Sequence, residues 1–195
     1  MDRRDGRPGQ WRHGGGAALA STGVMPGVCL PSAGRVIRYA IGTSGQTLVL
    51  TGSVLDHFDC HRQRGLLSRE AGGQLFARYD GTTIQIDRAT GPRPSDRRTP
   101  KVFLPDRQAE RQEITRLFQD GLHFIGDWRT HAESYPIPSH TDIINFQDLF
   151  RQSRHRLHSF VMVIVGTDPF PDGLYVGLCN ELELTKLFPL SLSTS

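Results

Sequence analysis

The sequence predicts an α/β domain of the α+β kind, a mixed and largely antiparallel sheet flanked by helices, and three observations carry that prediction. Short apolar segments recur between turns rich in Gly and Asp, as strands do. Three longer segments with helical spacing and capping residues are interspersed among them. A chain of 195 residues suits one domain with a core of its own. Helices scattered among hairpins point to a mixed sheet with helices laid over it.

The elements follow in order. Val36 to Ile41 and Thr47 to Leu50 read as strands around a Gly42-Thr43-Ser44-Gly45 turn. Ser53 is placed to cap a helix running to about Arg62, with Val54, Leu55 and Phe58 on one face. Gly72 to Tyr79 and Thr82 to Ala89 flank Asp80-Gly81, a strong hairpin signal. Residues 90–100, with Pro92, Pro94 and Pro100 among arginines, read as a polar loop. A helix is expected from about Asp106 to Gln119, closed by Gly121. Leu122 to Thr130 is a strand, and Ser139 starts a helix through Phe150 with Asp142 at the capping-box position. The unbroken apolar run Phe160 to Val165 fits a buried strand, and Leu174 to Leu178 and Leu182 to Phe188 complete the sheet.

Residues 1–34 are Gly- and Arg-rich without apolar periodicity, so a disordered tail is expected there and the domain proper at 35–195. Met25 is an alternative start. Residues 1–35 hold five Arg against two acids, a net of +3, which equals the whole chain's net charge. The remainder is therefore neutral, and nucleic-acid binding is left as a minor reading resting on the tail. The three cysteines, Cys29, Cys60 and Cys179, form no CxxC pair, which argues against a disulfide framework or a zinc ribbon and suits a reducing cytoplasm. No run approaches the roughly 20 apolar residues of a membrane span. The N-terminus also lacks the apolar core of a signal peptide.

The stretch with chemical content is Gly126-Asp127-Trp128-Arg129-Thr130-His131, a seven-residue link, and then Ser139-His140-Thr141-Asp142. Strand alternation points Arg129 and His131 the same way. A helix start delivers Asp142, where the positive end of the helix dipole favours its ionised form. An imidazole and a carboxylate meeting at a strand-to-helix junction make a metal or general-base site.

That pattern resembles the JAMM peptidases of the MPN or JAB fold, marked by His-x-His, seven residues, Ser-x-x-Asp, and a Glu upstream. The spacing from His131 through Ser139 to Asp142 matches without a gap, and Glu70-Ala71-Gly72-Gly73-Gln74-Leu75-Phe76 resembles the segment that supplies the Glu. Arg62-Gln63 after the first helix and the approach from Gly121 to Asp127 fit as well, so the likeness spans roughly residues 46–180. It is nearest to bacterial JAB proteins encoded with ubiquitin-like conjugation machinery, antiphage operons included. The resemblance implies a cytoplasmic hydrolase, a deubiquitinase-like zinc metallopeptidase or isopeptidase. In that role His131 and Asp142 would bind Zn2+, Glu70 would be general base and then acid, and Ser139 would donate to the oxyanion. It implies as partners a ubiquitin-like protein or its conjugate, and the activating and conjugating enzymes of the same operon.

One departure divides the readings. Arg129 stands at the first His ligand, and Ala132 at the Pro after the second. A guanidinium carries a fixed charge, offers no lone pair and repels a dication. Two functions follow, a zinc isopeptidase or a metal-free JAMM pseudoenzyme acting as a binding or scaffold module. In the second, Arg129 is expected to pair with Asp142 or Glu70. Rescue of the ligand by a neighbour is constrained by distance: His123 is about 20 Å back along the strand and Asp127 about 7 Å. His140 sits beside the cap. Plainer roles exist for each residue: a structural histidine for His131, a capping box for Ser139 and Asp142, a strand start for Glu70. His57, Cys60 and His61 share a helix face and form a rival metal set, with simple packing the better reading.

Overall fold

The computed structural model describes residues 34–65 and 67–191, so the expected tail falls outside the described residues. Eight strands form one sheet in the order β1-β2-β4-β3-β7-β8-β9-β10. These are β1 (Ile37–Ile41), β2 (Gln46–Leu50), β3 (Gly72–Asp80), β4 (Thr83–Ala89), β7 (His123–Thr130), β8 (Phe160–Val165), β9 (Leu174–Cys179) and β10 (Leu184–Lys186). Only β2 with β4 and β7 with β8 run parallel, so the mixed, largely antiparallel sheet expected from the sequence is present. The sheet curls: Tyr39 bridges Pro189, and the Leu190 N–H donates to the Arg38 carbonyl at 2.7 Å, bringing the chain after β10 back beside β1.

Alternation along the strands feeds two apolar faces. On one, α1 (Gly52–His61) presents Val54, Leu55 and Phe58 to Leu48, Leu75, Trp128 and the odd-numbered valines of β8. On the other, α3 (His140–Gln152) packs Phe146 against Phe160, Met162 and Ile164, while α2 (Arg107–Gln119) packs Leu117 against Phe76 and Leu122. The sheet is thus covered by helices on both sides, with β7 at its middle.

Four local expectations are corrected. Thr51, not Ser53, is the N-cap of α1. The Ser53 hydroxyl instead donates to the Asp87 carbonyl at 3.2 Å, tying the helix start to β4. Residues 90–100 are not all loop, since Arg97–Thr99 (β5) pairs with Val102–Leu104 (β6) as a small separate hairpin. The last strand is shorter than 182–188, because the Asn180 side chain accepts from the Leu182 and Glu183 N–H groups and makes a turn there. Cys179 is a buried free thiol, but Cys60 is disulfide-bonded, against the expectation of a reduced set.

Two glycines decide how the sheet closes around β7. Gly126 has φ of 150°, and a Cβ there would meet the Val161 carbonyl oxygen at 2.0 Å, so only glycine lets β7 lie against β8 at this point. Gly72 lies opposite Arg129 in the β3–β7 register. Its missing side chain leaves room for the Phe103 ring, which a Cβ would meet at 2.7 Å. The β5–β6 hairpin therefore sits directly over the strand pair that carries the candidate site.

Candidate functional site

Trp128 and Thr130 point into the core and are fully buried, which turns Asp127 and Arg129 to the opposite face. His131 lies just past the strand, and its N–H donates to the Val165 carbonyl at 2.9 Å, extending the ladder with β8 by one residue. The link to α3 is pinned through the Thr167 N–H to the Glu133 carbonyl at 2.8 Å. Gly166 lies against the same link, whose Pro136 a Cβ there would meet at 2.6 Å. Ser139 then caps α3 with a complete capping box.

All of these elements converge on the Asp142 carboxylate. Its Oδ2 accepts from the Ser139 N–H at 2.9 Å and the Ser139 hydroxyl at 2.5 Å, and His131 Nε2 lies 3.3 Å away. Its Oδ1 accepts from Arg129 Nη1 at 3.1 Å. Burial works against the charge, yet the hydrogen bonds from His131 and Ser139 and the Arg129 guanidinium outweigh it and hold the carboxyl well below the usual carboxylate range. Burial likewise opposes protonation of His131, and its bond to Asp142 reverses the sign, so its pKa rises.

Glu70 approaches from the other side, held by its backbone. Its N–H donates to the Thr99 carbonyl at 2.8 Å and its carbonyl accepts from Arg98 Nε at 2.7 Å, so the hairpin grips it on both edges. A buried neutral network fixes the next residue. The Thr130 hydroxyl accepts from the Ala71 N–H at 2.8 Å and donates to Gln63 Oε1 at 3.1 Å. Gln63 Nε2 in turn donates to the Ser68 and Pro100 carbonyls. Burial raises the Glu70 carboxyl pKa, opposed by Arg129 and His131 and reinforced by Asp142, so these four charged groups act on one another in one place.

The comparisons with known proteins now bear on this geometry. The family described as prokaryotic homologs of the JAB domain matches residues 53–174, which include every one of those groups. The chain belongs to that family. Two curated proteins named CD-NTase/cGAS isopeptidase are similar to this JAB chain. One, from Escherichia coli (strain TW11681), is 30% identical over 125 residues, covering 63% of this chain and 71% of the relative. The other, from Pseudomonas aeruginosa (strain BWHPSA011 / Pa011), is 29% identical over 117 residues, covering 57% of this chain and 73% of the relative. The solution structure of protein DSY2949 from Desulfitobacterium hafniense matches with a TM-score of 0.52 at 20% identity, over 70% of this chain and 87% of that one, and supports the fold.

The JAB site residues do not fit a catalytic zinc as they stand. Zinc in such sites takes three protein ligands and a water. Here His131 and Asp142 could supply two, while Arg129, which has no lone pair to give, stands beside them hydrogen-bonded to Asp142 Oδ1. Ser139 spends its hydroxyl proton on Asp142 instead of on an incoming oxyanion. Among the described residues no group of three His, Cys, Asp or Glu is arranged to hold a metal. The rival trio does not converge either: the His57 and His61 rings lie 4.6 Å apart and pack against Trp128, and burial lowers the His57 pKa to about 4. His123 is at the far end of β7 between Tyr79 and Phe118. His140 is exposed at the first turn of α3.

The structure thus brings Glu70, Arg129, His131, Ser139 and Asp142 together, as the sequence pattern implies. Reading residues alone missed Thr130 and Arg98, and gave Gln63 and Asp127 no role in the site; Thr130, Gln63 and Arg98 hold Glu70 in place. The Asp127 carboxyl is pushed up to about 7 by burial and by Glu110, and its Oδ1 is buried without a hydrogen-bond partner among the described residues. The strand period put Asp127 on the face of Arg129 and the resemblance took in Gln63, but nothing in the sequence showed what the supports hold, because their partners lie 59 to 67 residues away or in a hairpin that was read as loop.

Proposed function

We propose that this JAB domain recognises a conjugate of a ubiquitin-like protein and holds it without a catalytic zinc, as an isopeptidase-like binding module in a bacterial conjugation or antiphage system. The observation that carries this reading is the Arg129–Asp142 ion pair at 3.1 Å, which puts a fixed positive charge where the family's first histidine ligand stands. The isopeptidase names of the two curated relatives support a conjugate as the partner; the activating and conjugating enzymes of such a system are proposed from the family resemblance alone. No helix among the described residues is long and apolar enough to cross a membrane.

What the chain's own residues do is bind and orient. His131, protonated more readily than a free imidazole, and Arg129 together balance Asp142 and Glu70, so the pocket offers N–H donors without net charge to a carbonyl of the partner. Glu70 keeps the place from which the family's enzymes move a proton. Its raised pKa makes it a better proton carrier near neutrality than an ordinary carboxylate. Zinc, where bound, would supply a nucleophilic hydroxide.

Zinc content by elemental mass spectrometry and cleavage of an isopeptide-linked ubiquitin-like substrate, measured on the wild type and on Arg129→His, test the proposal. Expected are substoichiometric zinc and no cleavage in the wild type, with about one zinc and measurable cleavage in Arg129→His. Stoichiometric zinc in the wild type, lost on changing His131 or Asp142, would overturn it in favour of an active metallopeptidase.

A further inference from the structure

Beyond the Arg129 corner the outer face of the sheet opens into a groove of about 1180 Å3 between α2 and α3, large even for a small-molecule site. Phe124 and Phe160 lie in it, and Phe118 and Leu104 border it at 62% and 55% exposure. The two carboxylates that line it are already taken: Glu110 pairs with Arg107 and Asp148 with Arg151, each at 2.8 Å. Arg129 is taken by Asp142. Three exposed arginines remain, Arg111 on α2 and Arg154 and Arg156 after α3, and none forms an ion pair among the described residues. The groove is therefore apolar within and cationic at its edge, with its own acids neutralised.

We infer that this groove binds an extended acidic segment of the partner protein, its carboxylates meeting Arg111, Arg154 and Arg156 while interleaved apolar side chains fill the space beside Phe118 and Leu104. The inference adds the partner's chemistry to the proposed function and rests on that reading for its biological place, since the groove leads to Arg129. A polyanion such as single-stranded nucleic acid fits less well. Phe160 is fully buried, and Phe124 packs edge to face against it at 5.2 Å, so the two do not form a platform for successive bases. Outside the N-terminal tail the chain is also neutral.

The test is a random dodecapeptide library displayed on phage, selected against the full chain, with the best peptide then measured by fluorescence anisotropy. Enriched peptides are expected to alternate Asp or Glu with Leu, Ile or Phe. Combining Arg111→Glu, Arg154→Glu and Arg156→Glu should weaken binding about tenfold or more, and Phe118→Ser should weaken it severalfold. The single reversals guard against a triple variant that fails to fold, and Arg38→Glu, exposed on the distant β1, should leave binding unchanged. Neutral or basic peptides, affinity indifferent to the reversals, a preference for a dT oligonucleotide over every peptide, or a dimer broken by the same reversals would each overturn the inference. Binding is read without turnover, and Arg129→His leaves the three arginines in place. Failure here is therefore distinguishable from failure of the proposed function.

Discussion

The two walls of the site are held in different ways. On the Asp142 wall the bonds to the side chain are all charge-assisted, and a single carboxylate gathers Arg129, His131 and Ser139. On the Glu70 wall the side chain makes no hydrogen bond among the described residues while its backbone is fastened by Thr99 and Arg98, and its neighbour Ala71 by the neutral Thr130–Gln63 network. The first arrangement depends on the cations that face Asp142, the Arg129 guanidinium and the His131 ring. The second uses a cation only on the backbone, where Arg98 Nε donates to the Glu70 carbonyl. The two walls still feel each other, since the Arg129 guanidinium on one opposes the burial that raises the Glu70 carboxyl pKa on the other.

The largest effect expected is on the charged wall. Asp142→Ala strands Arg129 and His131 and removes the cap of α3. It should cost about 3 kcal/mol in urea unfolding at pH 7, at the low end for a broken buried pair because Arg129 is 23% exposed. The depressed Asp142 pKa fixes the sign with pH. Its contribution is complete above the ordinary Asp value and is lost as pH falls through the lower native value, so wild type and variant should converge in acid. Thr130→Val comes next, at about 2 kcal/mol, since it leaves the Ala71 N–H and the Gln63 carbonyl buried and unpaired, and Thr130→Ser should recover most of it. A larger loss from Thr130→Val than from Asp142→Ala would reverse the ranking of the two walls.

The smallest effect sharpens the comparison from outside it. Asp127 has a raised native pKa, so the folded state holds a proton that the unfolded chain releases. Stability falls as pH climbs from the ordinary Asp value to about 7, and the penalty is complete above that. Asp127→Asn should raise Tm by about 2–4 °C at pH 8, the shift that one kcal/mol gives in a chain of this size, and by less at pH 5. A gain that does not grow with pH would mean that Asp127 is not the protonated member of its pair with Glu110.

The charged wall was legible in the sequence because its residues lie within fourteen positions and obey one spacing, from Arg129 to Asp142. The strand period and the capping box set their directions before any tertiary contact was known. Glu70 was legible only through resemblance, since nothing local marks a carboxylate before two glycines as anything but a strand start. Its supports were not legible. Thr99 and Arg98 belong to a hairpin of two three-residue strands inside a Pro- and Arg-rich stretch, where turn chemistry masks strand propensity. Gln63 and Thr130 are a polar pair across the core, and no period in either element signals that they meet.

Gly72 and Phe103 carry a genetic consequence. The ring occupies the space that a side chain on Gly72 would fill, so Gly72→Ala should lift the hairpin and loosen its grip on Glu70, a residue neither position touches in sequence. A second change that shrinks the ring, Phe103→Leu, should let the hairpin settle again. The two positions should then behave as a partial suppressor pair, the double change better than Gly72→Ala alone but short of wild type, because the same Cβ would also meet the Trp128 carbonyl oxygen at 2.8 Å.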